Sequence, residues 1–444
     1  MKAINLIGIM TGNSLDAADT VLTRFDPDGK MTDIAADSLP YPPALQDSMR
    51  HVRNWLKKEN YAIGNIATHI TFLGIVTAYT KLLVQGVENV LKKAGLDKND
   101  VVAIGLHGQT CAHCPPSVSR DSLPYTVQIF HPKLLAKMTG IPVIYDFRSD
   151  DVFNGGEGAP LAPVHNVHMA QSLGLTGVLS FANAGNTGNL TIIDGDKAAG
   201  FDAGPFNHFP DLYARRFFDV SCDKDGVFGE KGTIRPDLLK AFFEQSALTA
   251  SGDNFYSVKP PKSSDPQWYA EPEGVENFSP ADVLRTAEYA AAYGLFYQFS
   301  FVENMPQNIV LFGGGWGNPL ILKDFKRLIN GSAAFVLQEH KQTFERIRKR
   351  FSNEPVMEKA DAFGLNATYT EARIFADAAY RFIFNEPFTT PQTTGAFSAT
   401  VCGVYCVPDD DKEYALQNMM VRKTPPERHP RLHSRAAKLF DEPV

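Results

Sequence analysis

The chain has 444 residues, 44% of them hydrophobic, with a formal net charge of −7. That is the composition of a water-soluble globular protein of two or three domains, and its acidic balance argues against nucleic acid as a partner. No run of 18 apolar residues occurs, so no membrane span is expected. The five cysteines, Cys111, Cys114, Cys222, Cys402 and Cys406, are odd in number and unevenly spread, which suits reduced thiols in a cytoplasm.

The first residues read as strand, polar turn, strand. An apolar run, Ile4–Met10, ends in Thr11-Gly12-Asn13-Ser14, and a second run, Thr20–Phe25, follows the acids Asp16 and Asp19, placing the second strand at 18–25. Lys2 and the apolar run imitate a secretory leader, but Asn5 interrupts it and the acids fall where cleavage would occur. A third strand is expected near 32–38. Apolar residues at helical spacing mark a helix over 65–94, closed by Gly95. Val101–Leu106 is a β-branched run that ends in His107-Gly108-Gln109-Thr110. A helix near 131–139 stops at Gly140, and a short strand at 141–145 ends in Asp146-Phe147-Arg148.

The pattern then restarts. Strand 177–181 ends in NAGNTGN (183–189), strand 190–193 follows, and Phe201-Asp202-Ala203-Gly204-Pro205 comes after a turn. Ser279, Pro280 and Asp282 predict the start of a helix over 279–303. Strand 308–312 runs into Gly313-Gly314-Gly315, and a last helix covers about 368–384. The expected fold class is therefore α/β, duplicated, with a cleft between two lobes. The expected domains are 1–172, 173–407 and a charged extension, 408–444, on or near the first lobe.

Both polar turns suit phosphate. Gly12 lets the backbone approach closely, and Asn13 and Ser14 add donors, although the P-loop lysine is missing. A plain hairpin turn is the alternative for each. Asp202, on a strand end before a rigid Gly-Pro turn, is the candidate general base, with helix capping as its alternative. His107, Cys111, His113 and Cys114 crowd one segment but fit no closed zinc spacing. Arg148 suits a carboxylate or phosphate, or a structural ion pair. Lys262 is read as a solvated loop lysine.

Taken in order, GIMTGNSLDAAD, IGLHGQT, TVQI, TGIPVIYDFRSDD, GGEGAPLAP, GFDAGP, DKDGVFGEKG, PPKS, FGGGWGNP and TTGA resemble the anhydro-N-acetylmuramic acid kinases, relatives of the levoglucosan kinases in the sugar kinase/Hsp70/actin superfamily. The resemblance spans about residues 4–406. It implies two actin-like lobes that clasp ATP and Mg²⁺, and a reaction that opens a 1,6-anhydro sugar with water while phosphorylating its O6. It implies Asp202 as the base that activates the water. Gly12, Asn13, Ser14, Leu15, Asp16, Ala17, Ala18 and Asp19 would form the phosphate loop, with Asp16 and Asp19 near the metal. Asn183, Gly185, Asn186, Gly313, Gly314 and Gly315 would adjoin the nucleotide. His107, Gln109, Arg148, Gly204 and Pro205 would adjoin the sugar. A cytoplasmic homodimer is also implied. The chain departs from the usual family pattern at Asn13, Asp150, Asn186, Phe206 and Asp265. Levoglucosan or another anhydro sugar as substrate, and a catalytically silent homologue, are the alternatives.

Overall fold

Strand β1 (Ile4–Thr11) is buried along nearly its whole length, and β2 (Ala17–Phe25) and β3 (Met31–Pro40) fold back beside it as an antiparallel meander. The structure is a computed structural model. It describes residues 2–408 apart from 13, 14, 118, 120–122, 196, 250, 265 and 364–368. The expectations for Asn13, Ser14, Asp265 and the extension beyond 408 therefore lie outside the described residues.

After helices α1 (Pro43–Lys58) and α2 (Ile70–Ala94), strand β4 (Val101–Cys114) pairs parallel to β1. Strand β5 (Tyr125–Ile129) runs back along the outer half of β4. Helix α3 (Pro132–Thr139), strand β6 (Val143–Tyr145), and helices α4 (Ser149–Phe153) and α5 (Ala162–Ser172) follow. Gly95 and Gly140 end α2 and α3 in the left-handed conformation, as their positions predict. By length and composition alone α2 could cross a membrane, with a window of mean hydropathy 1.4, but half of that window is buried. Its Val76, Leu83 and Val87 pack in one core with Ile7 and Ile9 of β1.

The second unit, Leu175–Thr368, repeats the plan. It contains β7 (Leu179–Ala184), β8 (Thr187–Asp194), β9 (Lys197–Pro205), α6 (His208–Phe218), α7 (Pro236–Gln245), α8 (Pro280–Tyr297), β10 (Asn308–Phe312), α9 (Pro319–Asn330), α10 (Lys341–Arg350) and β11 (Val356–Lys359). Its sheet runs β9-β8-β7-β10-β11, and the first sheet contains β3-β2-β1-β4-β6 in the same pattern of antiparallel and parallel neighbours. This internal repeat is the duplicated α/β plan that the sequence predicts. Ser279 caps α8 as predicted, its Oγ accepting the Asp282 N–H at 3.2 Å.

The chain then returns to the first unit, which comprises Met1–Gly174 and the residues from Tyr369 onward. Helix α11 (Thr370–Phe384), helix α12 (Pro391–Thr394) and strand β12 (Val404–Cys406), which pairs with β6, all belong there. The sequence reading kept everything from 173 to 407 in one lobe. The correction has a steric cause. A Cβ at Gly8 would lie 1.9 Å from the Ala372 carbonyl oxygen, and one at Gly105 would lie 1.9 Å from that of Phe375. Two glycines on adjacent strands thus let the α11 backbone rest directly on β1 and β4.

Candidate active site

In the first unit, the tip between β1 and β2 is held by side chains from three neighbouring elements. Gln109 on β4 is fully buried; its Nε2 donates to the Gly12 carbonyl (3.0 Å) and its Oε1 accepts the Tyr41 hydroxyl (2.9 Å). Gln46 on α1 donates to the Leu15 carbonyl (2.8 Å), and the Tyr41 N–H donates to that of Asp16 (2.8 Å). Thr11 Oγ1 donates to the Gly108 carbonyl (3.0 Å). Leu15 takes a left-handed backbone (φ 59°) with its side chain in the core, so the tip stores strain that these bonds offset. Gln109 was expected at the sugar. With both ends of its amide engaged and no exposed surface, it is a brace for the loop instead.

Past the tip stand Asp16, exposed, and Asp19, half-buried. Ala17 donates its N–H to Asp16 Oδ1 (2.9 Å), and the buried Ala18 pairs with Thr11. Burial first, and then the Asp16 charge, push the Asp19 carboxyl above the usual carboxylate range, against a bond from Ser38. Glu371, in the first turn of α11, is raised by crowding of neighbouring atoms and then by the Asp19 and Asp16 charges, although its side chain reaches the surface. The sequence reading did not single out Glu371, because only the return of α11 to this unit brings it near the hairpin. Among the described residues no three His, Cys, Asp or Glu side chains stand close enough to hold a metal by themselves. The mutual repulsion of these carboxylates is nonetheless what a divalent cation would relieve, and Mg²⁺ commonly takes one or two carboxylates beside phosphate oxygens.

His107 and Arg148 meet each other. Arg148 Nε and Nη2 lie 3.1 and 3.0 Å from His107 Nε2, and Nη1 donates to the Gly158 carbonyl (2.7 Å). Burial, followed by the Arg148 charge, drives the His107 imidazole well below its ordinary pKa and takes that of His113 down to about 3. Both rings are therefore neutral at physiological pH. The His107 ring faces the Gly108 backbone and the His113 ring that of Glu157. The loop at 155–158 is tied down by fully buried Asp151, whose two oxygens accept the Gly158 N–H and the Thr394 hydroxyl, each at 2.7 Å.

The second unit builds its tip differently. The Phe206 N–H donates to the Asn186 carbonyl and the Asn207 N–H to that of Gly185, both at 3.0 Å. A Cβ at Gly313 (φ 92°) would lie 2.5 Å from Asn183 Oδ1 and within 2.8 Å of the Ala184 backbone. The turn after β10 therefore sits against the β7–β8 tip, while Gly314 faces open space. Trp316 Nε1 donates to the Ala182 carbonyl (2.9 Å) and locks the two strand ends together.

Asp202 lies on β9, paired with Asn189, and is 8% exposed. Its Oδ2 accepts the Ser264 N–H (2.8 Å) and the Ser263 hydroxyl (3.2 Å), and its own N–H donates to the Lys262 carbonyl (3.0 Å). Its carboxylate is held from the 262–264 strap, not by helix capping. Ser264 Oγ, Tyr269 OH and Thr187 Oγ1 continue as a hydrogen-bonded chain (2.7 and 2.8 Å) to the β8 end of the tip. Gly204 (φ 105°) and Pro205 finish β9, both buried, with Gly204 against the Tyr256 ring. Lys262 is not solvated. It is 4% exposed, which a lysine on a Pro- and Ser-rich loop does not announce.

The model of the anhydro-N-acetylmuramic acid kinase family matches residues 4–408. The chain belongs to this family. Curated relatives that carry the name anhydro-N-acetylmuramic acid kinase include one from Idiomarina loihiensis, 30% identical over 89% of this chain and 97% of its own length. Another, from Bordetella pertussis, is 32% identical over 89% and 94%. Among solved structures, a ROK hexokinase from Thermus thermophilus has a TM-score of 0.35 at 14% identity, covering 85% of this chain and 99% of that one. Family membership makes the chain an ATP-dependent kinase.

Several departures from the family pattern have a structural account. Phe206 is 1% exposed and edge-on to Trp316 (5.2 Å), beneath Gly188 and Gly315, so it fills core. Asn186 is exposed and has no positive φ, so its backbone does not require glycine. Asp150 accepts the Gly403 N–H (2.8 Å), joining α4 to the returning chain.

Proposed function

We propose that this anhydro-N-acetylmuramic acid kinase family member uses ATP and water to convert 1,6-anhydro-N-acetylmuramic acid to N-acetylmuramic acid 6-phosphate and ADP, a step in cell-wall sugar recycling. Asp202 takes a proton from water, and the water oxygen bonds to the anomeric carbon. The bond from that carbon to the bridging oxygen breaks. The freed O6 then bonds to the γ-phosphorus as its bond to the ADP oxygen breaks. The observation that carries this reading is the orientation of Asp202, buried on β9 and held by two donors on one oxygen. General-base work asks for such positioning.

The 12–19 hairpin would take the ATP phosphates, and Asn183, Gly185, Asn186 and Gly313–Gly315 would border the nucleotide. Asp16 and Asp19 would hold Mg²⁺, which when bound neutralises phosphate charge. His107, Arg148, Gly204 and Pro205 would border the sugar. Arg148 is already engaged with His107 and Gly158, which favours a neutral anhydro sugar such as levoglucosan as a second reading. A cytoplasmic location and a homodimer belong to this proposal through the family alone.

The test is ADP release from purified protein with Mg-ATP and a panel of sugars. Release with 1,6-anhydro-N-acetylmuramic acid and not with open-chain N-acetylmuramic acid or glucose supports the reading. Release with levoglucosan alone moves it to the second. Nucleotide binding without transfer to any anhydro sugar overturns both.

A further inference from the structure

Among the described residues, Lys262 is the only buried lysine. Its Nζ donates to the Phe255 carbonyl at 3.0 Å and approaches that of Tyr256 at 3.5 Å. The same nitrogen stands 4.6 Å from the Phe255 ring centre and 5.0 Å from that of Phe301. At the other end of the residue, the Lys262 carbonyl accepts the Asp202 N–H, and the next two residues supply both donors to Asp202 Oδ2. The side chain thus ties to the core the short strap that aims the carboxylate.

We propose that Lys262 is a positioning residue for Asp202, its buried ammonium anchoring the 262–264 strap against the turn at Phe255–Ser257. The idea rests on Asp202 as the base. Burying an ammonium opposes folding, and an apolar side chain of equal length is often neutral or stabilising in such a place. Burial brings the Lys262 pKa down to about 7 in spite of attraction from Asp202, so near neutral pH the amine is about half protonated and its charged form is held at a cost to stability. Placement of Asp202 is the return for that cost. The pocket supplies carbonyls and ring faces, which recognise a cation's donors and charge and would not orient a thioether.

The experiment compares Lys262→Met with the native enzyme and with Asp202→Asn, measuring kcat, both KM values and the thermal midpoint. The expected result for Lys262→Met is a kcat at least tenfold lower, KM values for ATP and sugar within twofold, and a midpoint no lower than native. A kcat within twofold of native overturns the proposal. So does activity lost in proportion to a falling folded fraction, or KM values that rise as far as kcat falls. If Asp202→Asn itself keeps full turnover, the base assignment fails and this idea fails with it. If only Lys262→Met is fully active, the base assignment stands and the positioning role falls. Should Lys262→Met not fold, Lys262→Gln, which retains a donor for the Phe255 carbonyl, is judged by the same criteria.

Discussion

The two hairpin tips occupy equivalent places in the repeated sheet order, yet different forces hold them. The tip between β1 and β2 is braced mainly by side-chain hydrogen bonds, from the buried amide of Gln109, from Gln46 and from Thr11, with one backbone bond from the Tyr41 N–H. The tip between β7 and β8 is braced by backbone bonds from 206 and 207 and by the aromatic pair Phe206–Trp316 packed beneath it. A polar brace tolerates nearby charge, and Asp16, Asp19 and Glu371 cluster beside the first tip. An aromatic brace excludes water, and the second tip adjoins the buried Asp202. The comparison teaches that one topology can present a charged loop in one copy and a desolvated base in the other.

Replacing the proposed base separates these roles most sharply. Asp202→Asn should lower kcat by roughly 10²–10⁴-fold with little change in KM for ATP, whereas Asp16→Asn and Asp19→Asn should act mainly on KM for Mg-ATP; steady-state kinetics reads the split. Next comes the aromatic brace. Phe206→Gly restores the residue usual in the family, yet it should cost about 3–5 kcal/mol in a denaturant titration, because it empties a buried ring site. If that variant is as stable as native, the account of the second tip is wrong.

The polar brace should matter less to stability and more to the loop. Gln109→Leu removes one partner each from the Tyr41 hydroxyl, which Thr11 and Tyr79 also engage, and from the Gly12 carbonyl, which keeps the Leu15 N–H, a cost of about 1–3 kcal/mol in all. It should also raise KM for ATP, and unchanged ATP affinity would detach Gln109 from the phosphate loop. A last effect, visible only as a pH dependence, concerns Glu288 on α8. Burial, reinforced by Asp223, lifts its pKa to about 8, while Asn318 donates to it (2.8 Å). The native state then binds a proton that the unfolded chain releases near 4.5, so this group's contribution to stability falls as pH rises from about 4.5 to 8. Glu288→Gln should remove a slope of at most about 1.4 kcal/mol per pH unit, giving a gain over native at pH 8 relative to pH 5 in parallel urea titrations.

Local features of the chain were legible as sequence. Both strand–turn–strand units, the helix ends at Gly95 and Gly140, the Ser279 cap and the Asp202 candidate follow from spacing, turn chemistry and capping, which act over a few residues. So did the duplicated α/β plan and, through the motifs, the family. Partners distant in sequence were not legible. The return of 370–384 to the first unit depends on two glycines roughly 100 residues apart that accept a helix backbone. The use of Gln109 as a brace, the raised Glu371 and the burial of Lys262 each require knowing what lies across the fold. A side chain's type announces which chemistry it can offer; whether it meets water, a carbonyl or another charge is decided by packing alone.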